Sequence, residues 1–191
     1  MKQTKERRLM DLVKEQDSVD TKKIVSGRAL VFNTRTKIYT DSAGVEYYEQ
    51  INSGSLDNAD LSDVFLTYNH CDNIMIMART KNNTLKLEVD DYGLNCTAEL
   101  ADTTIGNDLY KLIKRGDIDK MSFEFEVDED EYDSNTRTRT IKSFKKIYDV
   151  SAVNRPAYDN TSIYCRGFFE AQNEIENEKL RKQKLIIKTL L

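Results

Sequence analysis

The stretch KMSFEFEV, residues 120–127, alternates strictly between apolar and polar side chains. One face carries the apolar residues Met121, Phe123, Phe125 and Val127, and the other carries Ser122, Glu124 and Glu126. A repeat of two residues is the period of an extended strand, and aromatic residues are frequent in strands. The stretch therefore predicts a half-buried β-strand whose apolar face lies on a hydrophobic core.

Short β-rich runs separated by turn residues lie on both sides of this strand. They are residues 23–33, 45–51, 64–69, 74–80, 84–89, 94–100, 141–153 and 162–166. Residues 128–140, acidic first and basic afterwards, predict a solvated hairpin loop. Gly27 in the first run predicts a bulge or a close approach of the backbone. Many short strands separated by turns are typical of a mainly antiparallel sandwich or barrel.

One segment has the period of a helix instead. Residues 102–118 place Ile105, Leu109, Leu112 and Ile113 at helical spacing. Asp102, Thr103 or Thr104 can serve as the N-cap, and Gly116 stands where a left-handed C-terminal residue is favoured. The segment therefore predicts a helix inserted into the β-domain.

The two ends of the chain differ from the middle. The first 22 residues are polar and weakly helical, which favours an N-terminal arm over residues 1–22. Residues 23–166 would form the β-domain, and residues 167–191 a C-terminal helical tail, acidic early and basic late. The amphipathic residues 180–191 leave three alternatives open: packing on helices of another protein, self-association, or packing against the β-domain.

Composition excludes several classes of protein. The net charge of −4 comes without a basic stripe, so we expect no nucleic-acid partner. No apolar run approaches the roughly 20 residues of a membrane span, and the charged N-terminus lacks a secretion signal. The cysteines, Cys71, Cys96 and Cys165, are odd in number and widely spaced. They predict neither a disulfide framework nor a zinc site, and they favour a reducing, cytoplasmic setting without metal or cofactor.

His70 is the only histidine of the chain, and it directly follows the predicted strand 64–69. A lone histidine is more often structural than catalytic. At the end of a strand, however, a sheet can hold the imidazole rigidly while the ring reaches a cleft. Imidazole is the usual general base near neutral pH, so His70 is the first candidate for catalysis.

A histidine base requires a nucleophile and an orienting acid. Ser122, on the polar face of its strand, is the favoured nucleophile. Cys71 is the rival, although side chains adjacent on an extended chain point apart. Asp149 is the favoured acid, because a carboxylate inside a β-like run is costly unless it is paired. Asp72, two residues from His70 in a predicted turn, is the alternative acid; Cys96 is expected to fill core.

Six segments in this order resemble the prohead maturation proteases of tailed bacteriophages. They are SGRALVFN, LTYNHCDNIMIMART, LKLEVDDYGLNCTAEL, GNDLYKLIKRGDI, MSFEFEV and IYDVSAVNRPAY, within residues 24–166. The resemblance implies a serine endopeptidase with the antiparallel β-barrel of herpesvirus assemblins. It implies His70 as general base and Ser122 as nucleophile. The family usually has glutamate where this chain has Asp149, and often glycine where it has Glu124.

The resemblance also implies a biological role. The substrates would be scaffold protein, the scaffolding segment of the major capsid protein, and the protease itself. The reaction would take place inside the immature capsid, in the host cytoplasm. Arg79 and Arg155 are weaker candidates for contacts with the oxyanion or the substrate. The alternative is an inactive barrel that binds capsid or scaffold protein. A generic esterase is disfavoured because Gly-x-Ser-x-Gly is missing around Ser122.

Overall fold

The computed structural model describes residues 6–13, 22–71, 73–154 and 163–189. These residues form strands and two helices, α1 (Thr104–Arg115) and α2 (Ile163–Thr189). The strands are β1 (Glu6–Val13), β2 (Ile24–Val31), β3 (Thr36–Thr40), β4 (Glu46–Ile51), β5 (Phe65–Tyr68), β6 (Ala78–Arg79), β7 (Leu85–Asp90), β8 (Gly93–Glu99), β9 (Lys120–Asp133) and β10 (Thr138–Val153). A short 3₁₀ turn, Thr80–Asn82, follows β6. The prediction of a mainly β fold with an inserted helix is confirmed.

All described strands belong to one sheet. Its hydrogen-bonded order is β3-β4-β10-β9-β1-β2-β8-β7, with β5 beside β10 and β6 beside β5. Neighbours are antiparallel except that β10 is parallel to both β4 and β5. The sheet branches at the long strand β10, because one edge of this strand pairs with β4 at residues 138–141 and with β5 at residues 149–152.

The path of the described strands is open, with β3 and β7 at its two ends. The described sheet is therefore not closed into a barrel, and the assemblin-type barrel that the resemblance implied is not confirmed. The pairing is mainly antiparallel, as expected, but β4 and β5 each pair in parallel with β10. The reason is the length of β10, which accommodates two shorter parallel strands along one edge.

Strand β9 follows the alternation that the sequence predicts. Met121, Phe123 and Phe125 lie in the main hydrophobic core. Phe123 stacks on Phe125, with ring centroids 4.8 Å apart, and both rings meet Phe144 of β10 edge-on. The polar face departs from the prediction of a half-buried strand, because Ser122 is also buried. A second layer of side chains must therefore cover this face of the sheet.

Helix α1 begins and ends at the predicted residues. The Thr103 side chain accepts a hydrogen bond from the Gly106 amide at 3.1 Å, which caps the N-terminus. Gly116 has a φ of 90°, and its amide bonds to the carbonyls of Leu112 and Ile113, as in a Schellman-type C-cap. Leu109 and Ile113 are buried and fix the helix against the core.

Local propensity fails at both ends of the chain. Residues 6–13, expected to be weakly helical, form β1, which pairs with β9 on one edge and with β2 on the other. Pairing on both edges gives hydrogen-bond partners to the backbone N–H and C=O groups of β1 and of the strand edges that face it. This gain outweighs the weak helical propensity of the segment. The sequence predicted a short strand over residues 162–166, but residues 163–166 belong to α2. Adding residues to an established helix costs little free energy.

A second, smaller cluster holds the C-terminal helix. Phe169 of α2 packs on Tyr47 and Tyr132, and the Asn173 amide donates to the Tyr47 hydroxyl at 2.5 Å. Residues 174–184 are exposed. Neither described helix is long and apolar enough to cross a membrane. The division into arm, β-domain and tail stays a prediction.

Two local predictions need adjustment. The irregularity in β2 lies between Arg28 and Leu30 rather than at Gly27, which pairs regularly with Cys96. The predicted solvated loop 128–140 is mostly strand, because β9 continues to Asp133 and β10 starts again at Thr138. Cross-strand ion pairs, such as Lys142 with Glu131 at 2.7 Å, accompany this extension.

Candidate active site

The candidate site lies where β9, β10 and β5 run side by side. Ser122 of β9 lies opposite Ser151 of β10, and Ser151 lies opposite Thr67 of β5. Two residues further along β9, Glu124 lies opposite Asp149 of β10. Residues in register on adjacent strands project from the same face, with Cβ atoms about 5 Å apart in an antiparallel pair. These five polar side chains therefore share one face of the sheet.

A β-bulge determines which face Asp149 occupies. Ile147 lies opposite Phe125, whereas Asp149 lies opposite Glu124, so β10 has one extra residue in this interval. Ile147 and Phe125 are core residues. Because side chains alternate, an unbroken strand would direct Asp149 into the core beside Ile147. The bulge turns the carboxylate to the polar face, which is a known use of bulges beside functional sites.

A tight turn after β5 brings His70 back over this face. Asn69 and His70 have φ values of 53° and 52°, and the Cys71 amide donates to the Tyr68 carbonyl at 3.1 Å. Two successive positive φ angles with this hydrogen bond are the pattern of a type I′ turn. Asparagine and histidine occur at positive φ more often than most residues, but the conformation still costs energy, so contacts within the fold must hold it.

The imidazole is bound to Asp149. Nδ1 of His70 lies 2.8 Å from Oδ1 and 3.1 Å from Oδ2 of the carboxylate, and each side chain is only 7% exposed. Because an ionised carboxylate only accepts hydrogen bonds, Nδ1 carries the proton and donates it. Nε2 is then the lone-pair nitrogen, which is the form that a general base requires.

Two polar atoms of the site are buried without a hydrogen-bond partner among the described residues: Nε2 of His70 and Oγ of Ser122. Ser122 is 1% exposed. A buried hydroxyl without a partner costs about 1–3 kcal/mol, so such groups are rare unless they have a function. The two atoms do not bond to each other in this structure. Catalytic contacts of this kind are often long before the substrate binds.

Glu124 completes the cluster. One ligand atom each of His70, Glu124 and Asp149 lies within 4.8 Å of the others, and in the described part of the chain this is the one such group able to hold a metal ion. The sequence indicated only that Glu124 is bulkier than the usual glycine. In the structure Glu124 lies opposite Asp149.

The weaker candidates are placed as follows. Arg79 donates from Nε and Nη2 to the Asp63 carboxylate at 2.6 and 2.7 Å, and its guanidinium stacks on Phe65. This ion pair holds the pKa of Asp63 below its usual range. A contact of Arg79 with an oxyanion or a substrate stays a prediction. Arg155 and Asp72 lie outside the described residues.

The cysteines differ from each other. Cys96 is buried in the core, as predicted, and burial raises the pKa of its thiol to about 12. Cys71 is half-buried and carries a free thiol directly after His70. Neither thiol belongs to the group of hydrogen bonds around Asp149.

Sequence reasoning missed two members of the site, Thr67 and Ser151. Oγ1 of Thr67 lies 3.1 Å from Oδ2 of Asp149 and 3.0 Å from Oγ of Ser151, which also accepts the backbone amide proton of His70 at 2.9 Å. The signal available was the spacing, because Thr67 precedes His70 by three residues and Ser151 follows Asp149 by two.

Comparison with known proteins identifies the family of the chain. A family model described as Caudovirus prohead serine protease matches residues 11–179. The chain belongs to this family. It is accordingly a serine peptidase.

A solved structure, the capsid assembly protease gp21 of bacteriophage T4, is similar in fold. The TM-score is 0.55 at 13% sequence identity, over 82% of this chain and 100% of the phage T4 chain. At this identity the similarity concerns the fold alone. A comparison with curated proteins finds no match.

Proposed function

We propose that this prohead protease is an endopeptidase in which Ser122 is the nucleophile, His70 the general base and Asp149 the orienting acid. The observation that supports it most is the unpartnered, buried Ser122 hydroxyl on the sheet face that carries the His70–Asp149 pair. The bulge before Asp149 and the turn before His70 both direct side chains toward this face.

The reaction follows from the hydrogen bonds. Nε2 of His70 takes the proton of the Ser122 hydroxyl while Oγ attacks the carbonyl carbon of the scissile peptide. The imidazolium is stabilised by Asp149, and its proton passes to the leaving amine, which leaves an acyl-enzyme. Water, activated by the same nitrogen, then releases the acid and restores the hydroxyl. Backbone amides, with Arg79 or Arg155 as weaker candidates, would stabilise the oxyanion.

Scaffold protein, the scaffolding segment of the major capsid protein, and the chain itself are the proposed substrates. The matched family is that of the Caudovirus prohead serine proteases, and the similar phage T4 protein is a capsid assembly protease. The proposed place of action is inside the immature capsid, in the host cytoplasm. The tail 167–191 is proposed as the segment open to removal or to self-association, whereas β1, within residues 1–22, pairs with both β9 and β2 and is proposed to stay part of the protease. An inactive assembly module is not favoured by the family match.

The experiment compares the purified full chain with Ser122→Ala and with Ser53→Ala, an exposed serine as matched control. Chain length is followed over time by mass spectrometry, and a fluorophosphonate probe reports on the nucleophile. We expect trimming and labelling in the wild type and in Ser53→Ala, and neither in Ser122→Ala. Asp149→Asn should be partly impaired; an unaffected variant would mean that the acid is misassigned.

The opposing outcome is equally specific. Identical, intact chains from the wild type and Ser122→Ala, with no labelling and no cleavage of a co-expressed capsid protein, would favour the assembly module.

A further inference from the structure

The hydroxyls of Thr67 and Ser151 form a chain with one defined direction. Asp149 accepts two bonds, from His70 Nδ1 and from the Thr67 hydroxyl. Because threonine has one hydroxyl proton and the carboxylate can only accept, that proton lies toward Asp149. The Ser151 hydroxyl, 3.0 Å away, must then donate to the oxygen of Thr67. The Ser151 oxygen in turn accepts the backbone amide proton of His70 at 2.9 Å.

The result is a closed ring of hydrogen bonds around the base. It runs from the imidazole of His70 to Asp149, through Thr67 and Ser151, and back to the main chain of His70. Thr67 is 6% exposed and Ser151 is fully buried, so water does not compete for these bonds. In a low-dielectric site, bonds of this kind strengthen one another and hold a single geometry.

The ring of hydrogen bonds includes a residue whose backbone is strained. His70 has a positive φ of 52°, and its amide bond to Ser151 is one of the contacts that hold this turn. The Asn69 amide also bonds to the carbonyl of Ala152 at 3.0 Å. Ser151 lies opposite Ser122 on the neighbouring strand. The same residue is therefore the common neighbour of the nucleophile and of the base.

We propose that Ser151 and Thr67 are positioning residues of this protease, whose hydroxyls tie the main chain of His70 to the carboxylate of Asp149. Base and acid are thereby fixed as one unit above Ser122. The inference rests on the proposed function. It predicts that loss of either hydroxyl lowers the rate of the chemical step rather than the binding of the reagent.

The test measures inactivation by a fluorophosphonate, which reacts with an activated serine whatever the natural substrate is. The variants are Ser151→Ala, Thr67→Val, the double variant and Thr67→Ser, in the full chain. Thr138→Val, at the far end of β10, is the control, because it too removes a buried, hydrogen-bonded threonine hydroxyl. The maximal inactivation rate and the half-saturating concentration are determined separately, and thermal melting gives the folded fraction.

We expect the maximal rate to fall about 10–100-fold in Ser151→Ala and Thr67→Val, because a displacement of about 1 Å in a catalytic group has an effect of this size. The half-saturating concentration should stay constant, Thr67→Ser should restore the rate, and Thr138→Val should leave it unchanged. The double variant should fall no further than the lower single variant, because the hydroxyls act as a unit.

A direct spectroscopic readout exists because His70 is the only imidazole of the chain. Its Nδ1 proton should give one slowly exchanging NMR signal in the wild type, broadened in Ser151→Ala and Thr67→Val. Rates equal to the wild type, or equal losses in Thr138→Val, would overturn the inference. If Ser151→Ala does not fold, the Thr67→Val and Thr67→Ser pair decides. A wild type as unreactive as Ser122→Ala would instead refute the proposed function.

Discussion

The two ends of β10 each bury a charged side chain, but they satisfy it differently. At the first end, Arg139 is 2% exposed; its Nη1 donates to Glu49 of β4 at 3.4 Å, and its Nε donates to Asp130 of β9. At the last end, Asp149 accepts from His70 and Thr67. The last end also holds two buried polar atoms, Nε2 of His70 and Oγ of Ser122, that have no hydrogen-bond partner among the described residues.

This difference distinguishes, along a single strand, residues that stabilise the fold from residues of the candidate active site. Where a buried charge meets its partners, as at Arg139, removing it should cost stability. Where a buried hydroxyl has no partner, as at Ser122, removing it should cost activity while stability holds. A partly satisfied polar cluster is unfavourable for folding, so its persistence points to a function.

The largest expected effect is on activity, at the last end of β10. His70→Ala should lower fluorophosphonate labelling of Ser122 on the order of 10⁴-fold, because the base is lost. The variant also leaves the buried Asp149 carboxylate with the Thr67 hydroxyl but without the imidazole, so stability should fall as well. Labelling is therefore compared per folded molecule, with the folded fraction taken from circular dichroism and thermal melting. Labelling at the wild-type rate would show that Ser122 is not activated by His70, and the contrast between the two ends would fail.

The next effect is on stability, at the first end. Arg139→Met should lower the free energy of unfolding by about 3–5 kcal/mol, because it removes the buried guanidinium that bonds to the carboxylates of Glu49 and Asp130. Urea denaturation measures the loss. Labelling of Ser122 per folded molecule should stay at the wild-type level.

The matched control is Arg28→Met, which removes an arginine paired with Asp90 near the surface. Exposed pairs contribute about 0–1 kcal/mol, so this variant should be nearly neutral. Equal losses in the two variants would mean that burial is not what makes Arg139 important.

The strands that carry the site were largely predictable, whereas their register was not. The alternation around Ser122 predicted both β9 and the face on which Ser122 lies, and a carboxylate inside a β-like run singled out Asp149. Alternation alone, however, puts Asp149 on the same face as the core residue Ile147. The bulge between them, which reverses this, depends on pairing with β9, and no local pattern in the sequence reports it.

Partners distant in the chain account for the rest. Ser151 and Thr67 are ordinary strand residues by sequence, and they gain significance only because β5 docks in parallel beside β10. The same holds for β1. Its polar sequence predicted a weak helix, but pairing with β9 and β2 supplies the hydrogen bonds of a strand. Sequence patterns thus predicted elements and candidate residues, while the sheet topology decided which side chains meet.

Cys96 offers the most selective test, because it is a buried ionisable group with no part in the site and its effect is confined to alkaline pH. Burial raises the pKa of its thiol to about 12 in the folded protein, whereas an unfolded thiol titrates near pH 8.5. The unfolded chain therefore loses this proton first, and the contribution of the neutral thiol to stability is complete below about pH 8.5 and is lost as pH rises toward 12.

In that window the unfolding free energy of the wild type should fall more steeply than that of Cys96→Ala, by about 1.4 kcal/mol per pH unit. Urea denaturation at a series of alkaline pH values measures both slopes. Parallel curves would show that the thiol ionises in the folded core as readily as in the unfolded chain, and the core around β8 and β9 would then be open to water.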